Sequence, residues 1–173
     1  LMNSKDKIVY ITNWIKDYAK SINNNPTTLV IGVSGGVDSA LTSTLCAQTG
    51  LKTIAVSMPI KQNSTQHDLS LKHLDWLKKN FENVETQIIQ LDNLFQSFEH
   101  TMKDFNSSLA FANSRSRLRM VTLYQIAQAN RGIVVGTGNK VEDFGVGFYT
   151  KYGDGGVDIS PIADCNKTEV WEI

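Results

Sequence analysis

The sequence predicts an α/β protein: a mostly parallel sheet with helices on both faces. Three observations predict it. Short apolar runs alternate with longer segments whose apolar residues recur every three or four positions. The runs TLVIGV and GIVVGT are apolar almost throughout, as strands covered on both faces must be. Both run straight into small polar turns at their C-terminal ends, the edge where open α/β sheets bind ligands.

Each element follows from its own pattern. Ile8, Ile11, Ile15, Tyr18 and Ile22 share a helical face, which predicts an amphipathic helix over residues 5–22, ended by NNNP at 23–26. TLVIGV is the first strand, and a helix over 38–49 stops at Gly50. KTIAVSM is the second strand, ending at Pro59, and the polar residues 60–66 form a loop. A helix over 67–80 puts Leu71, Leu74 and Leu77 on one side. VETQIIQL, residues 84–91, alternates before turning apolar and is the third strand. Two helical patterns follow, over 93–105 and 107–130, and GIVVGT at 132–137 is the fourth strand. GFYTKYGDGGVDISP, with glycines at 147, 153, 155 and 156, reads as an ordered functional loop or a turn, and a last helix begins at 167. No repeat, low-complexity stretch or linker divides residues 1–173, so a single domain is expected.

Composition narrows the function by exclusion. The 173 residues are 41% apolar and 20% charged, with Lys+Arg and Asp+Glu equal at 17 each. That balance points to no nucleic-acid or membrane partner, so an anionic substrate must be caught by local charge. Cys46 and Cys165 stand far apart and outside any metal-binding spacing, which argues for packing residues and a reducing, cytoplasmic setting. His67, His73 and His100 show no ligand spacing and are read as surface residues.

The most informative stretch is SGGVDS, Ser34 to Ser39, between the first strand and its helix. Neither common glycine-rich fingerprint fits: Val37 stands where a Walker lysine would be, and no G-x-G-x-x-G is present. Gly35 and Gly36 allow a tight turn and close approach of backbone to a ligand. The N–H groups opening the next helix then face that ligand, where the dipole favours an anion, and Ser34 and Ser39 add hydroxyls. Asp38 would repel a polyphosphate unless a cation bridges the two, which suggests Mg²⁺. A ligand-free alternative is open on these residues alone: Ser or Asp after a glycine turn also caps a helix.

The six residues resemble the pyrophosphate loop of the N-type ATP pyrophosphatases, whose members adenylate a substrate by cutting ATP between the α- and β-phosphates. Three further stretches resemble one branch of that superfamily, the ammonia-dependent NAD synthetases: ANSRSRLRM (112–120), GTGNKVEDFGVGFYTKYGDGGVD (136–158) and PIADCNKTEV (161–170). The similarity runs from the loop helix to residue 173, while members of the family continue further, with a helix and a second phosphate-side loop. The resemblance implies a Rossmann-like fold of the adenine nucleotide alpha-hydrolase type. It also implies ATP-dependent amidation of deamido-NAD (nicotinic acid adenine dinucleotide) by ammonia, the last step of NAD biosynthesis, in a homodimer.

Carried over residue by residue, the resemblance assigns ATP to Gly32, Val33, Ser34, Gly35, Gly36, Val37, Asp38 and Ser39, with Met58 beside the adenine and Thr137 and Lys167 as further contacts. Asp38 and Lys167 serve the chemistry, and Mg²⁺ falls to Asp38 and Glu142. The family spacing, counted back from Lys151, reaches Asp143 instead, so the register of the second carboxylate stays open between the two. Arg117, Lys151 and Asp158 would contact deamido-NAD. Helix phase puts Arg117 with Met120, Val121 and Tyr124, apart from Arg115 and Arg119, so an anionic partner is expected for it, a ligand or an internal carboxylate. Taken without the family, Lys151 and Asp158 are equally well read as polar ends of a D-G-G turn.

Overall fold

The computed structural model describes residues 2–22, 25–61, 63–138, 150–153 and 156–163. Four parallel strands, β1 (Thr28–Gly32), β2 (Lys52–Ser57), β3 (Val84–Ile88) and β4 (Gly132–Val135), lie in the order β3-β2-β1-β4. The helices are α1 (Ser4–Ser21), α2 (Val37–Gln48), α3 (Ser64–Asn80), α4 (Asp92–Thr101) and α5 (Ser108–Ala129).

Strand alternation sorts the core into two layers. Leu29 and Ile31 of β1, Ala55 of β2 and Ile133 and Val135 of β4 face one layer, with Ile11 and Ile15 of α1, Leu45 of α2 and Leu74 and Leu77 of α3. Val30, Ile54, Val56 and Val134 face the other, with Phe95 of α4 and Met120, Leu123 and Ala127 of α5. The sheet is therefore covered on both faces, as its apolar strands require. Cys46, wholly buried in the first layer, has its thiol pushed up to about 12 by desolvation and acts as packing. No helix among the described residues is long and apolar enough to cross a membrane.

Element ends differ from the sequence expectation where a local bond decides. The third helix starts at Ser64, because the Asn63 side chain caps it by accepting from Gln66 N at 2.8 Å. β3 ends at Ile88, although Ile89 N and Leu91 N still donate to Ser57 O (2.8 Å) and Pro59 O (3.2 Å) beyond the end of β2. The fourth helix stops at Thr101 and a 3₁₀ turn over Lys103–Phe105 completes the expected span. His73 is half-buried, its Nε2 2.8 Å from Ser43 Oγ on α2 and its ring stacked on Trp76, so it links two helices rather than lying on the surface.

The topology fixes where a ligand sits. From β1 the chain steps through α2 to β2, then β3, and returns through α4 and α5 to β4 on the other side of β1. The crevice at that reversal lies between the carboxyl ends of β1 and β4, which are level because Ile31 pairs with Val135. The SGGVDS loop leaves one strand there, and Gly136 and Thr137 leave the other.

Candidate functional site

The loop is built largely from its own hydroxyls. Ser34 N donates to Ser39 Oγ (3.1 Å), Ser39 Oγ lies 3.2 Å from Ser34 Oγ, and it donates to Gly36 O at 3.2 Å. Ser39 is buried and committed to the loop, whereas Ser34 is exposed and accepts from Gly36 N at 3.3 Å. Gly35 makes the turn: its φ is +95°, and a Cβ there would lie 2.5 Å from Gln66 O on α3. Gly36, extended at φ −85°, is the N-cap of α2 and offers no side-chain cap, which leaves the mouth of the helix to a ligand.

Asp38, half-buried, follows in the first turn of α2, where its carbonyl accepts from Thr42 Oγ1 at 2.9 Å. No group of three metal-binding side chains occurs among the described residues. Mg²⁺ needs none: it is commonly held by one or two carboxylates together with substrate phosphates and water, so Asp38 beside a phosphate loop suits it. Glu142, its alternative Asp143, and Lys167 lie outside the described residues.

The segment after β2 closes one side. Met58 is buried, and its Cε packs across Gly32, 3.2 Å from where a Cβ would stand there. Its carbonyl accepts from Arg119 Nε at 3.0 Å. Met58 is thus a core residue next to the site, with its side chain turned into the layer that holds Phe95 and Met120.

The arginines of α5 divide as helix phase groups them, Arg117 on one side and Arg115 with Arg119 on another, but Arg117 is the exposed one. Arg117 is exposed, as is Val121 beside it, and Arg117 Nε donates to Lys151 O at 2.9 Å. Arg119 is the more enclosed: burial, and then the charge of Arg115, lower its pKa from the ordinary value. Arg115 lies over the Phe95 ring, 5.6 Å from its centroid.

Residues 150–153 and 156–158 are docked onto α5 and β4. Thr150 Oγ1 donates to Asn113 Oδ1 at 2.9 Å, and Gly153 comes so near α5 that a Cβ would stand 3.0 Å from Ser116 Cβ and closer still to its hydroxyl. Lys151 is exposed, with Nζ 5.1 Å from the centre of the Tyr152 ring. Asp158 bonds inward with both oxygens: Oδ2 accepts from Val134 N (2.7 Å) and Oδ1 from Tyr124 Oη (3.1 Å). Tyr124 Oη also donates to Gly156 O at 2.8 Å. Desolvation, and then the charge of Asp158, push its hydroxyl up to about 12. Next to it, Met120, Val121, Tyr124, Gln128, Tyr152 and Gly156 border a cavity of 420 Å³. The sequence offered no sign of Tyr124's part, because its partners lie more than thirty residues away.

The structure therefore brings SGGVDS, Thr137 and the 57–59 segment to one sheet edge, and Arg117, Lys151 and Asp158 to one side of α5. Comparisons with known proteins show the family and the fold. The NAD synthase family matches residues 7–173. The chain is 35% identical over 179 residues to the NH(3)-dependent NAD(+) synthetase of Carboxydothermus hydrogenoformans, covering 99% of this chain and 69% of the relative. It is similar to the structure of NMN synthetase from Francisella tularensis, with a TM-score of 0.88, 33% identity, and coverage of 99% of this chain and 69% of that one. It is also similar to the NH3-dependent NAD synthetase from Campylobacter jejuni in complex with nitrate, at a TM-score of 0.86 and 28% identity over 98% of this chain and 71% of that one.

Proposed function

On the premise that the chain belongs to the NAD synthase family, we propose that it amidates deamido-NAD with ammonia, using ATP and releasing NAD, AMP and pyrophosphate. The observation that carries the reading is the SGGVDS loop opening α2 at the switch point of the sheet, with residues 150–153 docked on α5.

The chemistry explains why both parts are needed. A carboxylate does not react with ammonia, because oxide is not a leaving group. The nicotinate carboxylate attacks the α-phosphate of ATP in line, the Pα–O bond to the β-phosphate breaks, and pyrophosphate departs. Ammonia then attacks the acyl carbon, the C–O bond to AMP breaks, and a proton is lost as the amide forms. The protein's task is to align two anions and to stabilise the charge that builds on the leaving group.

The N–H groups at the start of α2 and the exposed Ser34 hydroxyl suit the pyrophosphate. Mg²⁺, held by Asp38 and by Glu142 or Asp143, would neutralise phosphate charge. Thr137 and Lys167 would add contacts to ATP, and the 57–59 segment would flank the adenine. Arg117 and Lys151 would meet the dinucleotide, with Asp158 fixing the wall they stand on. We read residues 1–173 as a single domain, shorter than the relatives it matches, that works as a homodimer. Exposed Leu94 and Phe98 on α4 and Leu109 at the start of α5 support the pairing, which sedimentation would test.

The test is incubation with ATP, Mg²⁺, ammonium and deamido-NAD. NAD and AMP should form together, and only with all four present. Since one similar structure is an NMN synthetase, deamido-NMN belongs in a parallel reaction. Preference for the mononucleotide would overturn the choice of acceptor while leaving the adenylation in place.

A further inference from the structure

Gln66 is outside every role given so far, yet it touches the phosphate loop twice. It is the third residue of α3, and its backbone N–H bonds the capping side chain of Asn63 at 2.8 Å. Asn-x-x-Gln has the spacing of a capping box, in which the third residue turns an acceptor back to the N-cap, a service Glu performs as well as Gln. Here the amide supplies a donor to the loop. Gln66 Nε2 reaches Ser34 O at 3.0 Å, thirty-two residues away. The Gln66 carbonyl occupies the place a side chain at residue 35 would need.

The consequence follows from peptide geometry. Ser34 C=O and Gly35 N–H belong to one planar trans peptide and point in opposite directions. With the carbonyl drawn toward α3, the N–H is turned away from α3, to the open side of the loop. α3 is itself anchored at the sheet, since Ser70 Oγ donates to His67 O at 2.7 Å and lies 3.1 Å from Ser57 Oγ at the end of β2. His73, further along the same helix, is bonded to Ser43 of α2. The loop thus rests on a helix braced against both neighbours.

We propose that Gln66 is a positioning residue for the reaction, holding the Ser34–Gly35 peptide so that Gly35 N–H faces the departing pyrophosphate. This rests on the reading of the loop as a pyrophosphate site. It also explains why an amide stands where a carboxylate would cap the helix equally well: a carboxylate would set its oxygen against Ser34 O.

Gln66→Glu separates this role from a structural one. Glu keeps the cap and suits the positive end of the helix, so the melting temperature should not fall. The loop bond is lost, and the KM for ATP and the inhibition constant of magnesium pyrophosphate should each rise about 3- to 10-fold. The KM for deamido-NAD should be unchanged. Gln66→Ala, which leaves Ser34 O to water, should show a smaller rise in the same two constants. Pyrophosphate binding to wild type and Gln66→Glu that is equal by calorimetry would overturn the proposal. So would a fall in melting temperature with both KM values rising together. A wild-type chain that binds ATP but makes no NAD would overturn the functional reading instead, because pyrophosphate binding is measured without the acceptor.

Discussion

The two halves of the candidate site are held in opposite ways. The phosphate loop is tied within itself, by bonds between residues at most five apart, with one buttress from α3. The acceptor-side segment is tied to α5 and β4 by bonds that span 24 to 37 residues. A self-tied loop keeps its donors aimed before ligand arrives, which suits a group that must meet charge as it develops. A loop docked on a helix depends on that helix, and the grip on the acceptor proposed for it should be alterable without touching the phosphate side.

Substitutions can break this division. Asp38→Ala should have the largest effect, lowering the rate on the order of 10³-fold while the acceptor KM holds. The rate should also lose its steep dependence on Mg²⁺, read by titrating the metal. Gly35→Ala comes next. Its strained φ and the clash with Gln66 O should cost about 1–3 kcal/mol of stability and roughly 10²-fold in rate. Denaturant midpoints and kcat would report both.

On the other side, Gly153→Ala should push residues 150–153 off Ser116, raising the acceptor KM about tenfold with the ATP KM unmoved. Ser116→Ala in that background should recover part of the loss. Tyr124→Phe should be the mildest, about 1 kcal/mol from the lost bonds to Gly156 O and Asp158. Its signature is in the pH profile. The folded hydroxyl ionises near 12 against an ordinary 10.0, so its stabilisation is complete below pH 10 and is lost as pH rises toward 12. Urea midpoints between pH 9 and 12 should fall for wild type and fall less steeply for Tyr124→Phe, the buried Cys46 thiol supplying the part that remains. If Gly153→Ala or Tyr124→Phe altered the ATP KM as much as the acceptor KM, the two halves would not be separate.

How much was legible in the sequence follows the same line. The alternation of strands and helices, both core layers and the position of SGGVDS come from patterns within about twenty residues, and the structure has them. Helix phase set Arg117 apart from Arg115 and Arg119, as the structure has them, but not which of them is exposed, because that depends on what packs on the helix. Segment 57–59 and Phe95 enclose Arg119 and Arg115, while Arg117 emerges to the 150–153 loop. Asp158 is read by the family likeness as a ligand contact, and no local rule could reveal that it bonds Val134 N. Residues 60–66 read as a polar loop, yet Ile60 is buried in the layer of Met58 and Phe95, and Gln66 belongs to a helix that the Asn63 cap starts at Ser64.

The central claim is that this loop grips a pyrophosphate leaving from ATP as a nicotinate carboxylate takes the AMP. Deamido-NAD labelled with ¹⁸O in its carboxylate tests it most directly, with the products followed by mass spectrometry. One ¹⁸O should appear in AMP for each NAD formed, with unlabelled pyrophosphate. ADP with labelled inorganic phosphate, or AMP without label, would contradict it.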